Sequence, residues 1–138
     1  MRAAVFQNTA AVLPACSFHP NFKRKSMREI SLPQLAAKEI VAGYKARFVH
    51  TEHMTLAYWD VTAGSVLPEH AHLHEQVCSV LEGSFELTVN GQPMVLQPGK
   101  LVVIPGHARH SGRALTDCKL LDVFYPVRED YKTIANES

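Results

Sequence analysis

Apolar and polar residues alternate along most of the chain after Gly43. The alternation falls into short stretches: "ARFVH" (46–50), "TLAYWDV" (55–61), "QVCSVL" (76–81), "SFELTV" (84–89), "PMVLQ" (93–97), "LVVI" (101–104) and "CKLLDVFYPV" (118–127). Each is rich in β-branched or aromatic residues and has the length of a strand. Turn-forming pairs separate them: Ala63-Gly64, Glu82-Gly83, Asn90-Gly91, Pro98-Gly99 and Pro105-Gly106. Asn90-Gly91 lies between "FELTV" and "PMVL", where it predicts a two-residue type I′ hairpin. Seven or more short strands at this spacing predict an all-β antiparallel sandwich or barrel. Ahead of Gly43 the pattern differs. Residues 31–42, "SLPQLAAKEIVA", predict one short helix, with Ser31 as cap, Pro33 in the first turn and Gly43 at the end.

Composition adds one asymmetry. The 138 residues carry a net charge of +1. Residues 1–28 hold five basic side chains (Arg2, Lys23, Arg24, Lys25, Arg28) and no acidic one, which leaves −4 on residues 29–138. A body of that sign lacks the basic footprint of a nucleic-acid binder. Residues 1–28 read as a basic, disordered extension, and 29–138 as a single domain. A transit peptide, or a start placed upstream of Met27, also fits that extension. Cys16, Cys78 and Cys118 are odd in number and lack CxxC spacing, which fits a reducing, cytoplasmic setting. No apolar run approaches the ~20 residues of a membrane helix.

The chemistry concentrates in "PEHAHLHEQ", residues 68–76. Residues i and i+2 of a strand project to one face, so His70 and His72 can reach one ion through imidazole nitrogens. Four alternate side chains in a row cannot all meet that ion. The chain must therefore bend near Leu73 to Glu75, and Gln76 starts a new strand returning toward it. In "KLLDVFYPV", Leu120, Asp122 and Phe124 share one face. If that face lines a cavity, Asp122 is a candidate general base and Phe124 a wall. Arg128 can then clamp an anionic substrate. The alternative is a solvated Asp122, with Arg128 paired to Glu129 or Asp130 on the surface.

Two motifs carry a family resemblance. Gly64, five residues, His70-Ala71-His72, three residues, Gln76, six residues, Gly83 resembles the first cupin motif, where the position of Gln76 is usually Glu. Gly99, five residues, Pro105-Gly106-His107-Ala108-Arg109-His110 resembles the second, with His107 standing where Gly is usual and Ala114 where Asn is frequent. The resemblance spans roughly residues 45–126. It implies a cupin double-stranded β-helix, or jelly-roll β-barrel, and a metal held by His70, His72, Gln76 and His110. His74 and His107 are expected at the rim without a ligand role, and His50 and His53 at the surface.

Within the cupins, "HLHEQ" followed by "RHSGRALTDCKLLDVFYPVREDY" resembles the small KdgF-type pectin-degradation proteins. Those act on 4,5-unsaturated uronate monosaccharides released by pectin or alginate lyases, converting the cyclic sugar to its linear keto form. The resemblance implies one divalent transition metal (nickel, zinc, iron or manganese) and contributions to activity from Asp122, Phe124 and Arg128. A glutamine in place of a carboxylate leaves the full charge on the ion, which favours Lewis-acid work. The implied partner is a small anionic sugar, with neither nucleic acid nor membrane. A homodimer is expected, with an exchanged N-terminal segment as its seam. The competing readings are a cupin dioxygenase acting on a small organic acid and a non-catalytic binding cupin.

Overall fold

The structure is a computed structural model, and it describes residues 26–136. The chain divides into two units, Met1–Ile30 and Ser31–Ser138. Of the first, only residues 26–30 are described, and they form no regular element. The basic extension read over residues 1–28 therefore lies almost wholly outside the described residues.

Ten strands follow: β1 (Lys38–Val41), β2 (Tyr44–His50), β3 (Thr55–Val61), β4 (Val66–His70), β5 (Glu75–Glu82), β6 (Phe85–Val89), β7 (Gln92–Leu96), β8 (Leu101–Ile104), β9 (His110–Ala114) and β10 (Cys118–Tyr125). A helix, α1 (Glu129–Asn136), ends the described chain. All pairings are antiparallel. One sheet runs β1-β2-β3-β10-β5-β8 and the other β4-β9-β6-β7. This is the all-β architecture the alternation predicts. Buried Trp59, Val80, Leu120 and Phe124 of the first sheet join Phe85 and Leu87 of the second in one apolar cluster. Burying a side chain such as Phe124 stabilises the fold by roughly 1.5–3 kcal/mol. No helix among the described residues is long and apolar enough to cross a membrane.

The helix expected over residues 31–42 is not there. Leu32–Gln34 form a single 3-10 turn, and Ser31 makes no side-chain capping bond. Lys38–Val41 instead pair with β2 as an edge strand. Pro33 suits a first turn of either helix type, but the β-branched Ile40 and Val41 gain more on a sheet edge, where they pack against the core.

Turn chemistry is legible where the backbone demands it. Asn90 and Gly91 have φ of 48° and 79°, the two positive values of a type I′ turn, and they join β6 to β7. The Pro105-Gly106-His107 turn lies against the bend at residues 72–74. The His107 N–H donates to the His72 carbonyl at 2.7 Å. A side chain at Gly106 would meet the Leu73 carbonyl oxygen at 2.5 Å. His107 has φ of 66°, in the left-handed region. The cupin motif usually carries glycine there, and this chain does without it. His107→Gly is expected to raise stability by about 0.5–1 kcal/mol, because removing Cβ relieves the left-handed backbone. A urea midpoint at or below the wild-type value would refute this.

Candidate functional site

The two sheets enclose a cavity, and the sequence candidates meet along its wall. His70 ends β4 and lies opposite His110 of β9. Between Leu67 and His70 the register slips, so that both line the cavity although three positions separate them. Such a bulge re-aims the side chains that follow it. Pro68 lies inside the slip and can donate no ladder hydrogen bond, which an edge strand such as β4 tolerates. His72 follows in the irregular stretch just before the bend, where it can turn to the same point. The bend itself spans Leu73 and His74, as the ligand spacing requires.

The imidazoles of His70, His72 and His110 form one group. Their available ligand atoms lie within 4.8 Å of one another. Each Nδ1 is tied to a backbone carbonyl: His70 to Pro68 at 2.8 Å, His72 to His74 at 3.2 Å and His110 to Ala108 at 2.9 Å. Those bonds assign the ring proton to Nδ1 in His70 and His110 and leave their Nε2 lone pairs free, whereas His72 meets an oxygen at 3.2 Å at either ring nitrogen. The His110 Nε2 is buried and has no hydrogen-bond partner. Burial lowers the His72 pKa to about 4, helped by the Arg128 charge and the neighbouring histidines. Burial also lowers that of His110. Converging imidazole nitrogens, that of His110 buried and unpartnered, fit a first-row divalent ion.

Gln76 lies next to this group. Its Oε1 is 3.2 Å from the His72 Nε2. With the His72 proton on Nδ1, two lone pairs face each other there, and a shared cation relieves the repulsion. Turning the amide end for end would relieve it too, but the Gln76 amide also stabilises the ionised Asp122 carboxylate. Only the amide N–H₂ can do that. Gln76 is thus placed to offer oxygen to an ion and N–H to Asp122.

Asp122 is buried on β10, directly across from Cys78 on β5. Its Oδ2 accepts a 2.9 Å hydrogen bond from the Trp59 Nε1–H. Its Oδ1 is buried without a partner at bonding geometry. Burial raises its pKa to about 6, against the nearby Cys78 thiol, the Gln76 amide and the Trp59 indole, which favour the charged form. Those neighbours surround the carboxylate, and none meets the buried Oδ1 at bonding geometry. Cys78 is a buried thiol, pushed well up by burial. Its role is filling space and facing Asp122.

Phe124 is buried beside Gln76, its cross-strand neighbour, with its ring 5.6 Å from that of His72. Arg128 is buried rather than swung over an open mouth. Its Nε and Nη2 donate to the two Asp130 carboxylate oxygens at 2.9 and 2.7 Å. Its guanidinium lies 4.9 Å from the Phe124 ring centre and 4.0 Å from that of Tyr131. The surface alternative thus named a correct partner, Asp130, in the wrong environment.

Two residues escaped the sequence reading and a third was misplaced by it. Trp59 becomes a neighbour of Asp122 only once β3 and β10 are paired. Tyr131 reaches the cavity from α1, an element the strand pattern does not predict. His74 is buried rather than at the rim, and its Nε2 meets the Val127 carbonyl at 3.3 Å. His107 and His53 are exposed, and His50 is half-buried against Thr55.

Stripped of divalent ions, the protein is expected to lose stability as pH falls below about 6.5, the ordinary histidine value. In the fold His72, His74 and His110 all sit below that value. The unfolded chain therefore binds more protons in this window, and acid favours it. Asp122, raised to about 6, acts in the opposite sense as the pH falls further, but it is one group against three. Melting of the chelated protein at pH 7 and pH 5 tests this. A higher Tm at pH 5 would contradict it.

Comparison with known proteins agrees with this geometry. The cupin domain family matches residues 57–124, from β3 to β10. KdgF from Halomonas sp. superposes with a TM-score of 0.73 at 27% identity, covering 77% of this chain and 99% of that one. An RmlC-like cupin from Shewanella frigidimarina superposes at 0.72 with 30% identity, covering 77% and 96%. A salicylate 1,2-dioxygenase from Pseudaminobacter salicylatoxidans shares the fold alone, at 0.60 and 19% identity, covering 62% of this chain and 27% of its own. No curated protein matches the chain in a sequence comparison. Both halves of the histidine set and the strands that carry them fall within the matched residues 57–124, and the chain belongs to the cupin superfamily.

Proposed function

We propose that this protein is a metal-dependent enzyme that opens and ketonises 4,5-unsaturated uronate monosaccharides. One observation carries the reading. A buried carboxylate with one free oxygen lies beside a histidine trio suited to a metal, and a buried arginine lines the same cavity. The similarity to KdgF and the resemblance in the C-terminal segment support it.

The roles follow from the chemistry of the sugar. Ring opening removes the proton of the anomeric hydroxyl, forms the C1 carbonyl and breaks the C1–O5 bond. O5 leaves with the electron pair as the oxygen of a C4=C5 enolate, which then gains a proton on C4 to give the C5 ketone. No atom is lost, so one group that takes and returns a proton suffices. Asp122 Oδ1 takes the anomeric proton and returns one to carbon. His70, His72, Gln76 and His110 would hold the ion, which when bound supplies Lewis acidity to the oxygen gaining negative charge. Arg128 is held by Asp130 through Nε and Nη2, and its positive charge meets the uronate carboxylate. Phe124 backs that guanidinium and closes the wall.

Metal analysis of purified protein, joined to an assay of the unsaturated chromophore, tests the proposal. It predicts a stoichiometric first-row ion and faster chromophore loss, with linear ketone appearing equally fast with and without oxygen. Activity that vanishes under strict anaerobiosis would instead assign a dioxygenase. Bound sugar without turnover would assign a binding protein.

A further inference from the structure

The two oxygens of Asp122 are not equivalent. Oδ2 accepts the Trp59 indole N–H at 2.9 Å across neighbouring strands, while Oδ1 is buried and unpartnered. The terminal torsion of an aspartate is soft and nearly two-fold, so packing alone fixes it poorly. A directional donor fixes it well. The indole is itself immobilised, with Tyr44 and Phe48 edge-on at 6.1 and 6.0 Å between ring centres. Trp59 also lines the cavity.

We propose that Trp59 is a positioning residue: its indole N–H orients the Asp122 carboxylate so that Oδ1 is the oxygen presented to the cavity and to the reacting atoms. The part concerning the reacting atoms rests on the uronate reading, whereas the hydrogen bond does not. Trp59 is the only tryptophan in the chain, so its emission reports on this contact with no sugar present.

The experiment has two arms. In the first, tryptophan emission is compared among wild type, Asp122→Leu and Asp122→Asn. Removing a carboxylate from the pyrrole side of the indole is expected to shift the emission to the blue in Asp122→Leu, with a smaller shift in Asp122→Asn, which retains an acceptor. Unchanged emission in Asp122→Leu overturns the contact. In the second, Trp59→Phe keeps an aromatic ring and deletes the donor. Its kcat is expected to fall about 10- to 100-fold, the span of a lost charge-assisted hydrogen bond, with KM little changed and metal content equal to wild type. A folded Trp59→Phe protein with wild-type kcat overturns the positioning role. Where that variant does not fold, the emission arm alone decides. A wild-type protein inactive on unsaturated uronates refutes the proposed function and leaves the emission arm standing.

Discussion

Asp122→Asn is expected to cut turnover of an unsaturated uronate by about 10²- to 10⁴-fold, the usual worth of a positioned acid–base group, while the ion stays bound. The substitution changes little else. Asparagine has nearly the same shape, and its Oδ1 can still accept the Trp59 N–H that now reaches Oδ2. What disappears is a basic atom at the position of the present Oδ1, which is buried with no hydrogen-bond partner. None of the other cavity groups replaces it well. The imidazole nitrogens are turned toward one another, the Cys78 thiol is held protonated by burial, and Arg128 is cationic. The measurements are kcat on the chromophore and metal per chain. Wild-type turnover would remove Asp122 from the mechanism, and loss of metal with activity would make its role structural.

The strands and the metal-capable histidines were legible because they rest on local rules. Period-two alternation, an Asn-Gly turn and an HxH pair each act within a few residues, and none needs a partner strand to be known. Misreadings arose where a distant element decided the outcome. Residues 38–41 read as helix until β2 offers them an edge, and then Ile40 and Val41 follow the sheet. His74 read as a rim residue because nothing in its neighbourhood announces the Val127 carbonyl, 53 positions away, that meets it. Trp59 carries no motif, and its bond to Asp122 spans 63 positions. The bulge at Pro68 is an intermediate case. The proline is visible in sequence, but its effect on the aim of His70 is set by pairing with β9.

Gln76→Glu addresses the departure from the usual cupin ligand set. It is expected to hold the ion more tightly and to lower kcat by about 10²-fold or more, on the scale of losing one preorganised electrostatic contact in a closed site. Two effects act together. A carboxylate ligand cancels part of the ion's charge and weakens it as a Lewis acid. It also replaces the amide N–H₂ beside Asp122 with a second negative oxygen. The amide now favours the ionised form of Asp122, whereas a like charge at that distance disfavours it and ties up the proton that the reaction must move. The His72 Nε2, 3.2 Å from the present Oε1, keeps its place in either variant, so the geometry of the imidazoles is little disturbed. Chelator competition and kcat, measured on one preparation, separate the two effects from simple damage. Tighter metal with depressed turnover is the expected pair. Equal or higher turnover in Gln76→Glu would mean that the neutral ligand is incidental, and that the site does not depend on leaving the ion its full charge.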